Sequence, residues 1–95
     1  MEELKSLCKI VGTDFEIGAP LSEESLRLGL VSAFSYLIDH DLSKMMTILY
    51  RADVNEEKLK MLLAESGEIP AAEVIARAYL NRQKEKIETW KKYSR

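Results

Sequence analysis

The sequence predicts an all-α protein, a small bundle of four to five helices that ends in a long C-terminal helix. Only two prolines and four glycines occur in the 95 residues, so long stretches contain no residue that breaks a helix. Two segments carry the residues of a helix start, and a third helix begins at a proline. We expect one domain, 1–95, with a less regular segment at 1–21 and a helix end at 82–95 that can protrude from the bundle.

The segments LSEESL at 21–26 and VNEEKL at 54–59 share the chemistry of a helix start. Ser22 and Asn55 can accept hydrogen bonds from the unpaired amides of a first helical turn. The two glutamates that follow each of them suit the positive end of the helix dipole. We therefore expect helices to start at 22 and 55.

The last helix is predicted to start at Pro70, because proline is tolerated at a first helical position, where its missing amide would have no partner. Gly67 is typical of a helix end and closes the preceding helix. From 70 the chain has no breaker up to about 93, which corresponds to a helix of roughly 35 Å.

The N-terminal segment carries a weaker pattern. A first helix is predicted from apolar side chains at helical spacing, namely Leu4, Leu7, Cys8 and Val11. A loop at 12–21, pinned by Phe15 and Ile17, would follow it. The alternation in KIVGTDFEI would also permit a small hairpin.

The stretch YLIDHDLSK, 36–44, contains the only histidine of the chain. On an ideal helix, the apolar residues up to Ile38 share one face, and a second face follows that is turned by roughly 100°. The second face consists of Leu42, Met45, Met46, Ile48 and Leu49. We expect a break at 39–41 with Asp39 or Asp41 as the next cap. A single helix over 22–51 is the alternative.

No catalytic, cofactor or metal site is predicted. Consecutive helical residues point about 100° apart, so Asp39, His40 and Asp41 cannot converge on one ion. No recognisable motif places a nucleophile beside His40, and the sequence has no phosphate loop, CxxC, HExxH or GxSxG. We expect His40 to be a partly exposed boundary residue. We expect Met45, Met46 and Met61 to fill the core, with a Met-rich partner groove as the alternative. The sequence thus predicts no enzyme and no cofactor, and it identifies no small-molecule substrate.

Charge is unevenly placed along the chain. Residues 1–72 carry 7 Lys and Arg against 13 Asp and Glu, and residues 73–95 carry 7 against 3. Such asymmetry indicates either a basic surface for a partner or an attraction between the two parts of one molecule.

In LYRADV, 49–54, Arg51 is expected to pair with a carboxylate and fix a turn, with an anion or partner contact as the alternative.

Localisation in the cytoplasm is expected. The single Cys8 cannot form an internal disulfide, which fits a reducing compartment. No run approaches the roughly 18 apolar residues of a membrane span. The acidic, amphipathic start MEELKSLCK does not resemble a signal peptide.

The C-terminal helix is the predicted functional element. Its first half, AAEVIARAYL, is expected to pack on the bundle through Val74, Ile75, Ala78 and Tyr79, and the polar stretch NRQKEK, 81–86, follows it. Leu80, Ile87 and Trp90, with Gln83 between them, form a heptad-like stripe that suits packing on one neighbour. The end of the helix can pack on its own bundle, bind a protein partner or a second copy, or use its lysines and arginines to bind nucleic-acid phosphates. We favour a protein-interaction or self-association module, with nucleic-acid binding as the alternative. The predicted partner-binding residues are Arg82, Lys86, Ile87, Trp90 and Tyr93.

The segments YLIDHDLSKMMTILYRADVNEEKLKMLL and AAEVIARAYLNRQKEKI resemble a group of small uncharacterised bacterial proteins. That group has an acid–His–Asp junction, an LYR-x-DV turn and a last helix rich in Arg, Gln and Lys. The resemblance covers roughly residues 36–88. It implies a bacterial, soluble, all-helical domain, and it transfers no catalytic residue because the group has no assigned activity.

Overall fold

Five helices form the described part of the chain. The computed structural model describes residues 2–16, 18, 20 and 22–93. Within these ranges it describes the side chains of residues 4 to 92. The helices are α1 Glu2–Val11, α2 Glu23–His40, α3 Leu42–Arg51, α4 Glu56–Glu65 and α5 Ala71–Tyr93. These residues contain no strand, so the all-α class is confirmed, and a helix forms at the N-terminus instead of the hairpin.

Side-chain caps begin α2 and α4 where the sequence places them. The Ser22 hydroxyl accepts a hydrogen bond from the Ser25 amide at 3.1 Å. The Asn55 side chain accepts one from the Lys58 amide at 2.9 Å. The helices proper begin one residue after each cap, because a capping residue itself has extended backbone geometry.

The chain between α4 and α5 turns at Gly67, which has a φ of 61°. This left-handed conformation is accessible to glycine without a steric cost and commonly follows the last residue of a helix. Pro70 immediately precedes α5, and its carbonyl accepts the Val74 amide at 3.2 Å. The last helix therefore begins at Ala71, one residue later than predicted.

Asp41 separates α2 from α3. Its amide donates to the Leu37 carbonyl at 2.8 Å and so belongs to the end of α2. Its carboxylate accepts the Lys44 amide at 3.1 Å and so caps α3. The predicted break is confirmed, and a continuous helix over 22–51 does not form.

The bundle is organised around α5. Helices α1, α2 and α4 each pack against it, and α3 packs mainly against α2. Phe15 reaches from the loop after α1 to Phe34 and Tyr79, with ring centroids 5.2 and 5.7 Å away in edge-to-face geometry. Phe15 thus pins the loop as predicted, while Ile17 lies outside the described residues.

Candidate functional site

The second half of α5 is divided between the core and the surface. Gln83 and Ile87 are buried, with 2% and 3% of their surface exposed, whereas Trp90 is 57% exposed. Lys86 is half-buried, and the side chain of Tyr93 lies outside the described residues. Ile87 belongs to the buried core cluster, so it is not accessible to a partner while the chain is folded.

Arg82 holds the turn between α3 and α4. Its Nε donates to the Asp53 carbonyl and its Nη2 to the Asp53 carboxylate, both at 3.0 Å. Hydrogen bonding to Asp53 raises the pKa of the Arg82 guanidinium, which already carries a permanent charge at neutral pH. The sequence assigned this structural role to Arg51, but in the structure a side chain from α5 fills it.

Other basic residues of the C-terminal helix also contact acidic groups of this chain. Arg77 contacts Glu73 within α5, and Lys84 contacts Glu23 on α2. Glu73 additionally accepts the guanidinium of Arg27 on α2 at 2.6 Å. The contacts of Arg82 with Asp53 and of Lys84 with Glu23 therefore join the basic part of the sequence to its acidic part.

An apolar surface is present on α3, where the sequence predicted core. Met45, Ile48 and Leu49 are buried, but Leu42 and Met46 are 54% and 48% exposed. Tyr50, one further turn along, is 86% exposed. These three residues follow i, i+4 and i+8 spacing and so lie on one side of the helix. We call Leu42, Met46 and Tyr50 the α3 stripe.

The expectation that Met46 fills the core was wrong, and Leu42 on the same side is exposed as well, because α3 has one main neighbour. Packing against α2 covers only part of the apolar face that the sequence shows. Met61 on α4 was also expected in the core and is 61% exposed. The apolar face of α3 is wider than its contact with α2, and this width is the signal that could have revealed the α3 stripe.

The Asp39–His40–Asp41 segment is a helix boundary, as predicted. His40 is exposed, its ring stacks on Tyr36 with centroids 4.3 Å apart, and its Nδ1 lies 3.1 Å from the Tyr36 carbonyl oxygen. Among the residues that the structure describes, no group of three or more His, Cys, Asp or Glu side chains could hold a metal ion.

A buried polar contact joins α5 to the loop after α1. The Tyr79 hydroxyl donates to Asp14 Oδ2 at 2.7 Å. Burial and this hydrogen bond raise the pKa of the Tyr79 phenol, and the neighbouring Gln83 side chain acts in the opposite direction. Within the described part of the chain, Gln83 Oε1 is a buried oxygen without a hydrogen-bond partner.

Comparison with protein-family models, curated proteins and solved structures found no match to this chain. The resemblance over residues 36–88 therefore stays a prediction, as does the bacterial origin. In the helices that the structure describes, no segment has the length and apolar character needed to cross a bilayer.

Proposed function

We propose that this protein is a non-enzymatic interaction module that binds a second copy of itself through the α3 stripe. The carrying observation is the exposure of Leu42, Met46 and Tyr50 on one side of a helix whose other side is packed in the bundle. Isolated exposed apolar residues are normal on protein surfaces, whereas exposed apolar side chains that adjoin one another are a feature of contact sites.

A second copy suits the α3 stripe because a two-fold arrangement uses the same apolar stripe on both molecules. In a two-fold arrangement of antiparallel α3 helices, Leu42 would lie opposite Tyr50 of the other copy, and the two Met46 side chains would meet at the axis. Ser43 and Thr47, which border the stripe on its solvent side, are uncharged. Neither of these two side chains would therefore add charge repulsion to the pairing.

Three side chains provide less surface than the roughly 800 Å² per partner of a stable complex. The association is therefore weak and depends on concentration. This expectation makes sedimentation equilibrium over a wide concentration range the suitable measurement, because a single chromatographic run at low concentration would report a monomer.

The test compares two methionine variants that carry the same change. Met46→Lys places a charge in the α3 stripe, and Met61→Lys places one on α4 at a methionine that is also exposed. We expect Met46→Lys to weaken the dimerisation constant at least tenfold and Met61→Lys to leave it within about twofold. A monomer at every concentration, or equal effects of the two variants, would contradict the proposal.

The exposed end of α5 is the other surface predicted from the sequence. Trp90 is the large apolar side chain there, and Lys91 and Lys92 beside it are exposed. A Trp90→Ala variant separates the two surfaces. Loss of self-association in Trp90→Ala, with Met46→Lys unaffected, would move the interface to the C-terminal helix.

Nucleic-acid binding draws less support from the geometry than self-association does. Arg77, Arg82 and Lys84 contact carboxylates of the same chain, which reduces the positive field that α5 presents. A phosphate-binding surface would give an affinity that falls steeply with salt. Salt-dependent binding to a short duplex or single strand at low ionic strength would restore this alternative.

A further inference from the structure

Helix α4 is the least firmly packed helix of the bundle. None of its residues, Glu56–Glu65, is buried. Leu59 and Leu63 are half-buried against α5, while Leu62 is 39% exposed. By contrast, α2 alone buries four large apolar side chains, namely Leu26, Leu30, Phe34 and Leu37. Detaching α4 would therefore uncover no fully buried side chain of its own.

Two open grooves run between α4 and α5. One, of about 400 Å³, lies at the start of α4 and includes Asn55, Lys58 and Arg82 in its lining. The other, of about 310 Å³, lies at the end of α4 and includes Ser66 and Ile69. Both grooves are open to solvent, so the contact between α4 and α5 leaves space near each end of α4.

The chain reverses sharply on both sides of α4. Asp53 has a φ of 62° and Gly67 a φ of 61°, and these are the residues with positive φ in the described part of the chain. Hinges are commonly a few residues in loops or at element ends that absorb large changes in backbone angles. The short turns 52–55 and 66–70 place such residues at both ends of the helix.

We propose that α4 is a flap that opens from α5 while the rest of the bundle stays folded, and that the Arg82–Asp53 contact is its latch. Arg82 belongs to α5, and Asp53 belongs to the turn that leads into α4. The guanidinium binds both the carbonyl and the carboxylate of Asp53. It therefore holds the left-handed backbone of the hinge as well as the start of the flap. This inference does not depend on the proposed self-association.

Native-state hydrogen exchange of the full chain, resolved by residue, tests the flap. We expect the amides of α4 to exchange at least tenfold faster than the core amides of α2 and α5, because local opening needs less free energy than global unfolding. Arg82→Ala should speed exchange in α4 by roughly three- to thirtyfold beyond its effect on α2 and α5. Arg77→Ala is the control for loss of an α5 guanidinium beside α4, since Arg77 lines the groove at the end of α4 but pairs with Glu73 in its own helix.

A second variant separates the latch from the hinge. Asp53→Gly removes the carboxylate but keeps a backbone carbonyl for Arg82 and accepts the left-handed conformation without cost, so its effect on α4 should be smaller than that of Arg82→Ala. Exchange of wild-type α4 at the rate of α2 and α5 would overturn the flap. Equal acceleration of all helices in Arg82→Ala, or an equal effect of Arg77→Ala on α4, would overturn the latch.

Discussion

At the residue scale, the Tyr79 hydroxyl is a polar group that the core must accommodate. The phenol is fully buried, and Phe15 and Phe34 contact its ring. Its hydroxyl is satisfied by Asp14, which lies 65 positions earlier in the chain. The sequence predicted Tyr79 as an apolar packing residue of the last helix. It could not identify Asp14 as the partner, because long-range pairing depends on how α1 and its loop dock on α5.

The raised pKa of Tyr79 predicts a loss of stability in alkali. In the unfolded chain the phenol loses its proton near pH 10, whereas the folded protein retains it to higher pH. The folded state then binds more protons, so the free energy of unfolding falls by about 1.4 kcal/mol per pH unit above roughly pH 10. Urea denaturation between pH 8 and pH 11 measures this loss.

Tyr79→Phe is the control for that measurement, because it keeps the ring and removes the titrating group. Near neutral pH the variant should be less stable by about 1–2 kcal/mol, since it loses the hydrogen bond to Asp14. Above pH 10 its stability should fall less steeply than that of the wild type. Parallel pH profiles of the two proteins would show that Tyr79 does not cause the alkaline loss.

At the element scale, the helix boundaries were predictable and the exposed faces were not. Ser22, Asn55, Asp41 and Gly67 act on residues within four positions of themselves, so local sequence contains the information that places them. Which side of a helix is covered depends on its number of neighbours. Helix α3 has one main neighbour. For that reason Met46 is exposed, although the sequence places it on the same apolar face as the buried Met45.

Asp41 gives a prediction about one element boundary. Asp41→Ala removes the carboxylate that accepts the Lys44 amide, and we expect a loss of about 1 kcal/mol in the free energy of unfolding. Asp41→Asn keeps an accepting oxygen and should lose less. Chemical denaturation of the three proteins checks the order. An equal loss in both variants would mean that charge, rather than capping, is the property of Asp41 that stabilises the junction.

At the scale of the whole molecule, the last helix is both the centre of the fold and the element predicted to act outside it. Its first half packs through Val74, Ile75 and Tyr79, as the sequence indicated. The polar stretch NRQKEK suggested an end that protrudes, yet Gln83 within it is buried and Arg82 and Lys84 contact other parts of the chain. The stretch NRQKEK resembles a solvent-exposed helix in the sequence because the partners of several of its polar residues lie on distant elements.

The burial of Ile87 leads to a prediction about the intact protein. Ile87→Ala should lower the free energy of unfolding by about 2–4 kcal/mol, because it leaves a cavity where the last turns of α5 join the core. Trp90→Ala changes a larger side chain three residues later and should cost less, since 57% of Trp90 is already exposed. Urea denaturation of both variants measures the two losses. If Trp90→Ala were the more destabilising change, the C-terminal turns would be held chiefly by Trp90.

Removal of residues 82–95 deletes both of these side chains. We therefore expect a chain that ends at Asn81 to lose its cooperative unfolding transition rather than to behave as a folded monomer.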